Sequence, residues 1–405
     1  MLFVSPRFLF PASTGGQIRT SQILRGLKGG NFEITLISPS PPHAETRFKK
    51  ELSGVADRLV VWQESHRGLW FRIARLKHLF SRLPIPVATD RSTEGRKTVA
   101  QQLAKRPDLV VFDFPHAAVF APHVIAIPSV MFTHNVEAEI FSRHVQVARN
   151  PLMRILWRSQ YRKMMAFEKA TLSKFDTVVA VSQRDREAMR SSFGITNVAV
   201  IRTGVDADFF DYLPPPGTNR VVFIGSMDWL ANIDGIQFML DEIWSLVVQE
   251  VPDASMLVVG RNPSAALQAK AKAAGVRWEF TGFVDDVRPF VRQAAVSVIP
   301  LRVGGGTRIK VFEAMAMGCP VVSTQIGVEG LPLEDNKHYL RADSPAEFAA
   351  AVVKLLNDRE LSRRISTDAR KYVEGNFSFA EAAREFENIC LRTMDKDVSR
   401  SEKQC

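Results

Sequence analysis

Short apolar segments alternate with longer amphipathic segments along most of the chain. The apolar segments are MLFVSP, FEITLISPS, LVVFDF and VMFTHN in the first half, and RVVFIGS, ASMLVVGR, WEFTGF, VSVIP and CPVVSTQ in the second. The segments between them, such as IRTSQILRGLKGG and RIKVFEAMAMG, have helical spacing. Nearly continuous apolar strands separated by helices are typical of parallel sheets covered on both faces. The pattern therefore predicts an α/β fold with two doubly wound, Rossmann-like halves.

A proline-rich segment separates the two halves. The sequence YLPPPGTNR, residues 212–220, interrupts the periodicity. A chain of 405 residues is also longer than one ordinary hydrophobic core can accommodate. We therefore expect an N-terminal domain over residues 1–211 and a C-terminal domain that begins at residue 218 and extends to about 376.

Three glycine-marked loops follow predicted strands and precede predicted helices. Gly16 lies in the first loop, Gly225 in the second, and the third begins GGGTRIK at residue 304. In doubly wound folds ligands bind at the carboxyl ends of strands, where helix N-termini offer N–H groups and partial positive charge. Arg308 and Lys310 add full charges to the third loop, so it fits a phosphate or diphosphate; a mobile loop before a buried helix is the alternative. None of the three loops has the GxGxxG spacing of dinucleotide-binding proteins.

Positive charge is concentrated in the first half of the chain. Residues 1–200 hold 29 Lys and Arg against 15 Asp and Glu, within a net charge of +10. Such asymmetry favours an anionic partner, either nucleic acid or an acidic membrane surface. The stretch HRGLWFRIARLKHLFSRLPIP, residues 66–86, mixes cations with large apolar side chains as surface-bound helices do, and NPLMRILWRSQYRKMM extends the basic pattern. An ordinary helix that packs its apolar face on the sheet is the alternative.

Membrane spans, a signal peptide and cysteine patterns are the sequence features that bear on the cellular compartment. No apolar segment approaches the roughly 20 residues that a bilayer requires. Pro6 and Arg7 interrupt the apolar N-terminus, so we expect a first strand there and not a signal peptide. Cys319, Cys390 and Cys405 have neither metal-ligand spacing nor the number needed for a disulfide framework. We expect a cytoplasmic protein, with peripheral contact with the inner face of the plasma membrane as a further expectation.

Several motifs together resemble the family 4 retaining glycosyltransferases of GT-B fold, and among them bacterial members that build exopolysaccharide. These motifs are FEAMAMGCPVVST, VFIGSMDWLANIDG, TGFVDDV, VAVSQRDR and TGVDADFF. The resemblance extends from the first strand to about residue 392. It implies two Rossmann-like domains facing across a cleft, with a nucleoside diphosphate sugar held mainly by the second and a sugar or lipid-linked sugar acceptor by the first. It also implies that the last helix, about residues 377–393, returns to complete the first domain.

The resemblance assigns roles to individual residues. Glu313 matches the glutamate that grips the donor ribose, and a carboxylate one turn beyond the glycine loop suits two sugar hydroxyls. His134, in THNVE, matches the histidine beside the transferred sugar, so His134 and Glu313 are the catalytic candidates. Gly16 matches the loop that approaches the donor phosphates or acceptor. The remaining donor-binding candidates are Gly225, Phe283, Val284, Gly305, Gly306, Thr307, Arg308 and Lys310.

The chain departs from the family pattern at two points. Gly305 stands where the family commonly has the first of two glutamates, and GSMDWLANIDG lacks the Arg and Lys that usually meet the diphosphate. Arg308 and Lys310 are the nearest replacements. We expect a hexosyltransferase that needs no metal and no cofactor, because the sequence lacks a DxD-type carboxylate pair at a strand end and Asp285 and Asp286 are better placed to cap a helix.

Two other functions are consistent with parts of the sequence. A nucleotide-sugar epimerase of GT-B fold would need additional acid and base carboxylates, which we do not find. A nucleic-acid-binding protein is suggested by the pI of about 9.6. Such proteins combine basic clusters with a recognition helix or an aromatic platform. The sequence offers neither, so we expect no nucleic-acid partner.

Overall fold

The computed structural model describes residues 1–12, 14–64, 75–148, 150–207, 209–304 and 308–402, with side chains at all of these except 75, 76 and 396–402. The chain forms two compact units. The first contains Met1–Thr203 together with the segment from Phe379 onward, and the second contains Gly204–Ser378. Within the described ranges, no helix is both long enough and apolar enough to cross a bilayer.

The first unit contains a sheet of seven parallel strands in the order β3-β2-β1-β4-β5-β6-β7. The strands are β1 Leu2–Val4, β2 Thr35–Ser40, β3 Arg58–Gln63, β4 Val110–Asp113, β5 Ser129–Phe132, β6 Thr177–Ala180 and β7 Val198–Val200. Both faces of this sheet are buried: in β4, Val110 and Phe112 join one apolar cluster and Val111 joins the other. Burial on both faces explains why the strands are continuously apolar in sequence.

Helices cover the first sheet, and several begin at side chains that cap their first turn. The α-helices are Gly15–Leu27, Ala44–Arg47, Lys49–Ser53, Ile85–Thr89, Thr93–Leu103, Glu137–Val147, Pro151–Leu172 and Gln183–Phe193, with 3-10 helices at Arg75–Phe80 and Pro115–Phe120. Thr14 and Gln17 form a capping box at the first helix, and Ser182 caps the helix after β6. Each cap satisfies an N–H group that the helix itself leaves without a partner.

The last helix, Phe379–Glu402, belongs to the first unit. Phe386 is buried there with its ring centroid 5.0 Å from that of Phe132, and Thr393 shares a 2.8 Å hydrogen bond with Thr177. Burying one such phenylalanine contributes about 1.5–3 kcal/mol. The helix therefore covers the β5–β6 part of the first sheet.

The second unit contains six parallel strands in the order β10-β9-β8-β11-β12-β13. They are β8 Arg220–Ile224, β9 Ser255–Val259, β10 Trp278–Gly282, β11 Val296–Ile299, β12 Val321–Ser323 and β13 Leu340–Arg341. The α-helices are Leu230–Phe238, Trp244–Glu250, Ala265–Ala273, Arg288–Val291, Ile309–Ala316, Pro345–Asn357 and Arg359–Asn376, with a π-helical turn at Met239–Ile243 and a 3-10 turn at Ile326–Val328. The predicted α/β class with two parallel sheets is confirmed.

The division between the units falls after Thr203, before the predicted end of the first domain at 211. Residues on both sides of the predicted boundary are held by the second unit. The Val205 N–H donates to Phe377 O at 2.8 Å, the Arg370 guanidinium donates to Ala207 O at 3.0 Å, and the Leu213 N–H donates to Met317 O at 3.3 Å. The proline-rich segment 212–220 thus lies within the second unit.

Candidate active site

The candidate residues cluster where each sheet reverses its strand order. In the first sheet the reversal lies between β1 and β4, and in the second between β8 and β11. Loops that leave the carboxyl ends of these strands diverge to opposite faces, which opens a crevice suited to a ligand. Gly16 follows β1, His134 follows β5, Gly225 follows β8, and the residues from Gly304 to Glu313 follow β11.

In the first unit, Gly16 and His134 lie against each other. A methyl group added at Gly16 would lie 3.6 Å from Cδ2 of His134, so the imidazole packs on the glycine backbone at ordinary contact distance. His134 is itself buried at the end of β5. The structure therefore brings together two of the predicted site residues of the first unit.

Both nitrogens of the His134 ring have partners within the first unit. Nε2 lies 2.8 Å from Oδ1 of Asp113, and Nδ1 lies 3.4 Å from Nη1 of Arg19. Asp113 also accepts hydrogen bonds from the hydroxyls of Ser5 at 3.1 Å and Thr20 at 3.0 Å. The histidine is thus one part of a buried polar network at the carboxyl ends of β1, β4 and β5.

Arg19 is the cation of this network. Burial lowers its pKa to about 10, against the attraction of Asp185 and Asp113, so the guanidinium remains charged at neutral pH. Its Nη2 donates to Thr203 Oγ1 at 3.1 Å. Sequence reasoning missed Arg19 and Asp113, although Arg19 lies with Gly16 in the segment GGQIRT that begins the first helix, and Asp113 is the one polar residue of LVVFDF.

In the second unit, Lys310 and Glu313 lie in the first turns of helix Ile309–Ala316, which follows β11. Burial raises the pKa of Glu313 to about 7, against the attraction of Lys310. Burial lowers the pKa of Lys310 to about 8, and nearby Arg308 lowers it further, while Glu313 opposes the shift. The Glu313 carboxyl and the Lys310 amine therefore both titrate near neutral pH. Such shifted pKa values are common at functional sites.

Arg308 immediately precedes this helix and packs on two neighbours. Its guanidinium carbon lies 5.2 Å from the ring centroid of Trp229, in the loop after β8, which is a cation–π distance. A methyl group added at Gly304 would lie 2.1 Å from Arg308 Nη2, and the φ of +145° at Gly304 is one that other residues rarely adopt. The backbone conformation therefore favours glycine at 304, and a larger residue there would also displace the Arg308 guanidinium.

Two further glycines are explained by close packing within the second unit. A methyl group at Gly225 would lie 2.7 Å from both the Asn232 amide and the Phe223 ring. One at Gly260, after β9, would lie 1.9 Å from the carbonyl oxygen of Gly225. The loops after β8 and β9 thus pass close to each other, and this packing accounts for Gly225 without a ligand.

Phe283 and Val284 follow β10. Phe283 is 53% exposed, an unusual position for an aromatic ring without a partner molecule, whereas Val284 is half-buried against an apolar cluster of the second unit. The sheet order places β10 two strands from β8. The predicted donor residues Gly305, Gly306 and Thr307 lie outside the described residues.

The loop after β8 contains a charged group that sequence reasoning did not select. Asp228 accepts from Arg261 Nε at 2.7 Å and from the Asn262 amide at 2.8 Å, and both partners follow β9. Arg261 is thus a cation at the same sheet edge as Arg308. Its signal in the sequence is its position directly after the strand segment VVG.

Asp286 lies just before the short helix Arg288–Val291, which follows β10. It accepts from the Arg288 N–H at 2.9 Å, and the Arg288 side chain, followed by that backbone bond, lowers the pKa of Asp286. Among the described residues, no three His, Cys, Asp or Glu side chains are grouped so as to hold a metal ion.

The fold of the two units is that of a known structural class of enzymes. Two α/β units with parallel sheets are the architecture of the GT-B glycosyltransferases, and solved structures of that class superimpose on nearly the whole chain. Sucrose-phosphate synthase from Thermosynechococcus elongatus aligns with a TM-score of 0.75 at 16% identity, over 98% of this chain and 99% of that one. HepE from Anabaena, solved in complex with UDP-glucose, aligns with a TM-score of 0.69 at 14% identity, over 98% of this chain and 99% of that one.

Comparisons of sequence identify the family. The model described as Glycosyltransferase Family 4 matches residues 13–209, and the model described as Glycosyl transferases group 1 matches residues 218–358. The chain belongs to the family 4 glycosyltransferases, as its motifs predicted.

One curated relative matches part of the chain in sequence. The phosphatidyl-myo-inositol mannosyltransferase of Mycobacterium tuberculosis is 31% identical over 184 residues, which are 43% of this chain and 47% of that protein. The matched region thus spans about half the length of the curated relatives. The likeness to the solved structures, below 25% identity, establishes the fold alone.

Proposed function

We propose that this protein transfers a hexose from a nucleoside diphosphate sugar to a sugar or lipid-linked sugar acceptor, with retention of the anomeric configuration. The proposed role is in the synthesis of exopolysaccharide or a related cell-surface glycan. The arrangement of Arg308, Lys310 and Glu313 around the start of one helix carries the proposal. The comparisons favour neither a nucleotide-sugar epimerase nor a nucleic-acid-binding protein.

The three side chains suit the two ends of a nucleoside diphosphate. An ionised Glu313 accepts hydrogen bonds from two neighbouring hydroxyls, as a ribose offers. Arg308 and Lys310 are cations at a helix N-terminus, whose free N–H groups also favour an anion. In this proposal they neutralise the charge that develops on the departing diphosphate, and they do so without a metal ion.

Further residues of each unit have proposed roles of their own. The exposed Phe283 ring offers a nucleobase an aromatic surface at the end of β10. His134 and Gly16 are assigned to the transferred sugar and the acceptor side. The retaining outcome rests on family membership, and the lipid-linked acceptor is supported by the name of the mycobacterial relative.

Ligand binding followed by product analysis tests the proposal. Purified protein is screened by thermal shift against UDP-glucose, GDP-mannose and ADP-glucose, with the corresponding free monosaccharides as controls. We expect one nucleotide sugar to raise the melting temperature and Glu313→Gln to abolish that rise. NMR of the product formed with a glycolipid extract then assigns the anomeric configuration. Failure of every nucleotide sugar to bind would contradict the proposal.

We also propose that the protein binds peripherally to the anionic inner face of the plasma membrane through helix Pro151–Leu172. One face of this helix carries Leu152, Ile155, Arg158, Arg162 and Lys169 at helical spacing. Leu152 is 76% exposed and Ile155 is 67% exposed, and the arginines and lysine are exposed as well. Exposed aliphatic side chains beside a row of cations are typical of surfaces that bind anionic lipid.

The charges of this helix complement a negative surface. Its one acidic residue, Glu168, is fully buried on the opposite face, where it accepts hydrogen bonds from the Glu137 and Ala138 N–H groups at 2.9 and 2.7 Å. Lys163 donates to Leu79 O at 2.7 Å and so connects the helix to Arg75–Phe80, in which Phe80 is 93% exposed. Residues 65–74, which hold Leu69, Trp70, Phe71 and Ile73 of the basic stretch predicted for membrane contact, lie outside the described residues.

Vesicle flotation tests the membrane proposal. We expect recovery with phosphatidylcholine vesicles that contain phosphatidylglycerol and little recovery with phosphatidylcholine alone. Because each basic side chain contributes about 1 kcal/mol near such a surface, the double variant Arg158→Glu and Arg162→Glu is expected to bind roughly 30-fold more weakly or worse. Lys97→Glu, on the exposed side of helix Thr93–Leu103, is the matched control. Equal recovery with both lipids, or equal recovery of both variants, would refute the assignment.

A further inference from the structure

We propose that Arg19 is a positioning residue that holds the imidazole of His134 from Nδ1, while Asp113 holds it from Nε2. This leaves His134 to meet a ligand through its carbon edge and backbone and not through a ring nitrogen. The role in catalysis rests on the proposed glycosyl transfer, but the arrangement of the ring is a property of the first unit and is measured without substrate.

The hydrogen-bonding capacities of the neighbours determine the tautomer. A guanidinium has only N–H donors, so Nδ1 of His134, at 3.4 Å from Arg19 Nη1, must present its lone pair. The ring proton then lies on Nε2, which donates to Asp113 Oδ1 at 2.8 Å. An ionised Asp113 accepts this bond together with those from Ser5 and Thr20, whose hydroxyls lie 3.1 and 3.0 Å from the carboxylate oxygens.

The position of Arg19 is itself fixed from several sides. The residue is 4% exposed, and Nη2 donates to Thr203 Oγ1 at 3.1 Å. Asp113 on β4 and Asp185 on the helix after β6 both stabilise its charge. A guanidinium held in this way approaches the ring from one direction only, which fixes the ring plane as well as the tautomer.

Thr20 is a second polar neighbour of Nε2: its Oγ1 lies 3.4 Å from this nitrogen, farther than Asp113 Oδ1 at 2.8 Å, and its hydroxyl donates to Asp113. The aromatic and glycine neighbours of the ring offer its nitrogens no hydrogen bond. The rings of Phe132 and Phe114 lie with their centroids 4.6 and 5.8 Å from that of His134, and Cδ2 of the imidazole faces Gly16. Glu137, on the next helix, interacts with the histidine electrostatically. With both nitrogens engaged by buried partners, the ring is rigid and is no longer free to exchange a proton with a ligand.

Ring nitrogen NMR tests the assignment directly. The chain has 8 histidines, so 15N-histidine labelling gives a tractable spectrum, and a His134→Gln variant identifies the signals of His134. Spectra are taken at about pH 8. We expect a single Nε2–H tautomer for His134, with the Nδ1 resonance shifted as for a nitrogen that accepts a hydrogen bond.

Three variants separate positioning from general stability. In Arg19→Met the Nδ1 resonance is expected to move to the position of an imidazole nitrogen without a donor, whereas Arg19→Lys, which keeps a cation, restores part of the shift. Arg25→Met, on the exposed side of the same helix, is the control and leaves the His134 signals unchanged. If Arg19→Met does not fold, the comparison of Arg19→Lys with wild type still reports the Nδ1 contact.

Activity supplies the second readout. If glycosyl transfer is established, Arg19→Met is expected to lower kcat by up to about 100-fold with little change in the KM for the donor, because a misplaced ring costs orientation and not ground-state binding. An Nδ1–H tautomer in the wild-type protein, or an Nδ1 resonance that is the same in wild type, Arg19→Met and Arg19→Lys, would overturn the proposal. Absence of glycosyl transfer would contradict the proposed function and leave the NMR result as the measure of this inference.

Discussion

The pH dependence of nucleoside binding is the sharpest test of the role proposed for Glu313. Burial raises the pKa of this carboxyl to about 7 and lowers the pKa of Lys310 to about 8. Ribose hydroxyls donate hydrogen bonds to an ionised carboxylate, so the ligand selects the ionised form. Below about pH 7 binding must first remove a proton from Glu313, and affinity therefore rises with pH through that value.

The size of the effect follows from the pKa. With a value of about 7, the ionised fraction of Glu313 rises from roughly 10% at about pH 6 to roughly 90% at about pH 8. The dissociation constant of a nucleoside is thus expected to fall roughly tenfold over this interval. A diphosphate adds a dependence of opposite sign, because Lys310 loses its charge as the pH rises through about 8. Nucleoside affinity should therefore level off above about pH 8, while nucleoside diphosphate affinity should decline.

Calorimetric titration measures both quantities. Uridine and UDP, or the nucleoside and diphosphate that the thermal-shift screen selects, are titrated in two buffers of different ionisation enthalpy to count the protons released. Glu313→Gln should lose the pH dependence and about 1.5–3 kcal/mol of binding free energy at about pH 8. Glu360→Gln removes an exposed carboxylate elsewhere in the second unit and is the control. The reasoning is refuted if wild type releases no proton on binding at about pH 6, or if Glu313→Gln retains the wild-type pH profile.

Three other predictions concern the remaining side chains. Arg308→Ala and Lys310→Ala should weaken UDP but not uridine, with a loss that shrinks at high salt; equal losses for both ligands by calorimetry would remove the diphosphate role. His134→Ala should lower turnover much more than donor affinity, and an unchanged kcat would return the histidine to a structural role. Gly260→Ala should lower the free energy of unfolding by about 1–3 kcal/mol because its methyl group meets backbone, whereas Gly375→Ala, in open space on a helix, should be neutral or stabilising in the same denaturation assay.

Buried strands could be predicted from the sequence because both faces of each sheet are covered. VVFD and RVVFI are apolar at successive positions for this reason, and both appear as central strands, β4 and β8. Two edge strands, β3 and β13, were not predicted. β13 at Leu340–Arg341 is two residues long and has no apolar run that stands out from its surroundings. β3 at Arg58–Gln63 is partly exposed, and its apolar run LVVW was a signal that sequence reasoning did not use.

The candidate site was predictable in part. Glu313, Lys310 and Arg308 lie within one short segment, so their proximity follows from local sequence. The network of His134 was not predictable beyond the histidine itself, because Arg19, Asp113 and Thr203 are far apart in the chain and only the strand order brings them together. The domain boundary was similarly hidden, since the hydrogen bonds of Val205 and Arg370 that fix it are tertiary.

The loop after β8 lacks the Arg and Lys that the family usually has there, so the positions of the other charged residues in the second unit matter. In the loop after β8, Asp228 is the charged residue, and Arg261 from the neighbouring loop lies against it at 2.7 Å. That pair adds little net charge for an anion. Arg308 and Lys310 are adjacent to the same reversal point. Glu313 opposes the charge of Lys310, but its pKa of about 7 leaves it only partly ionised near neutral pH. In the proposed function we therefore expect the positive potential for a diphosphate at the start of the helix after β11, where the helix N-terminus adds to it, and not in the loop after β8.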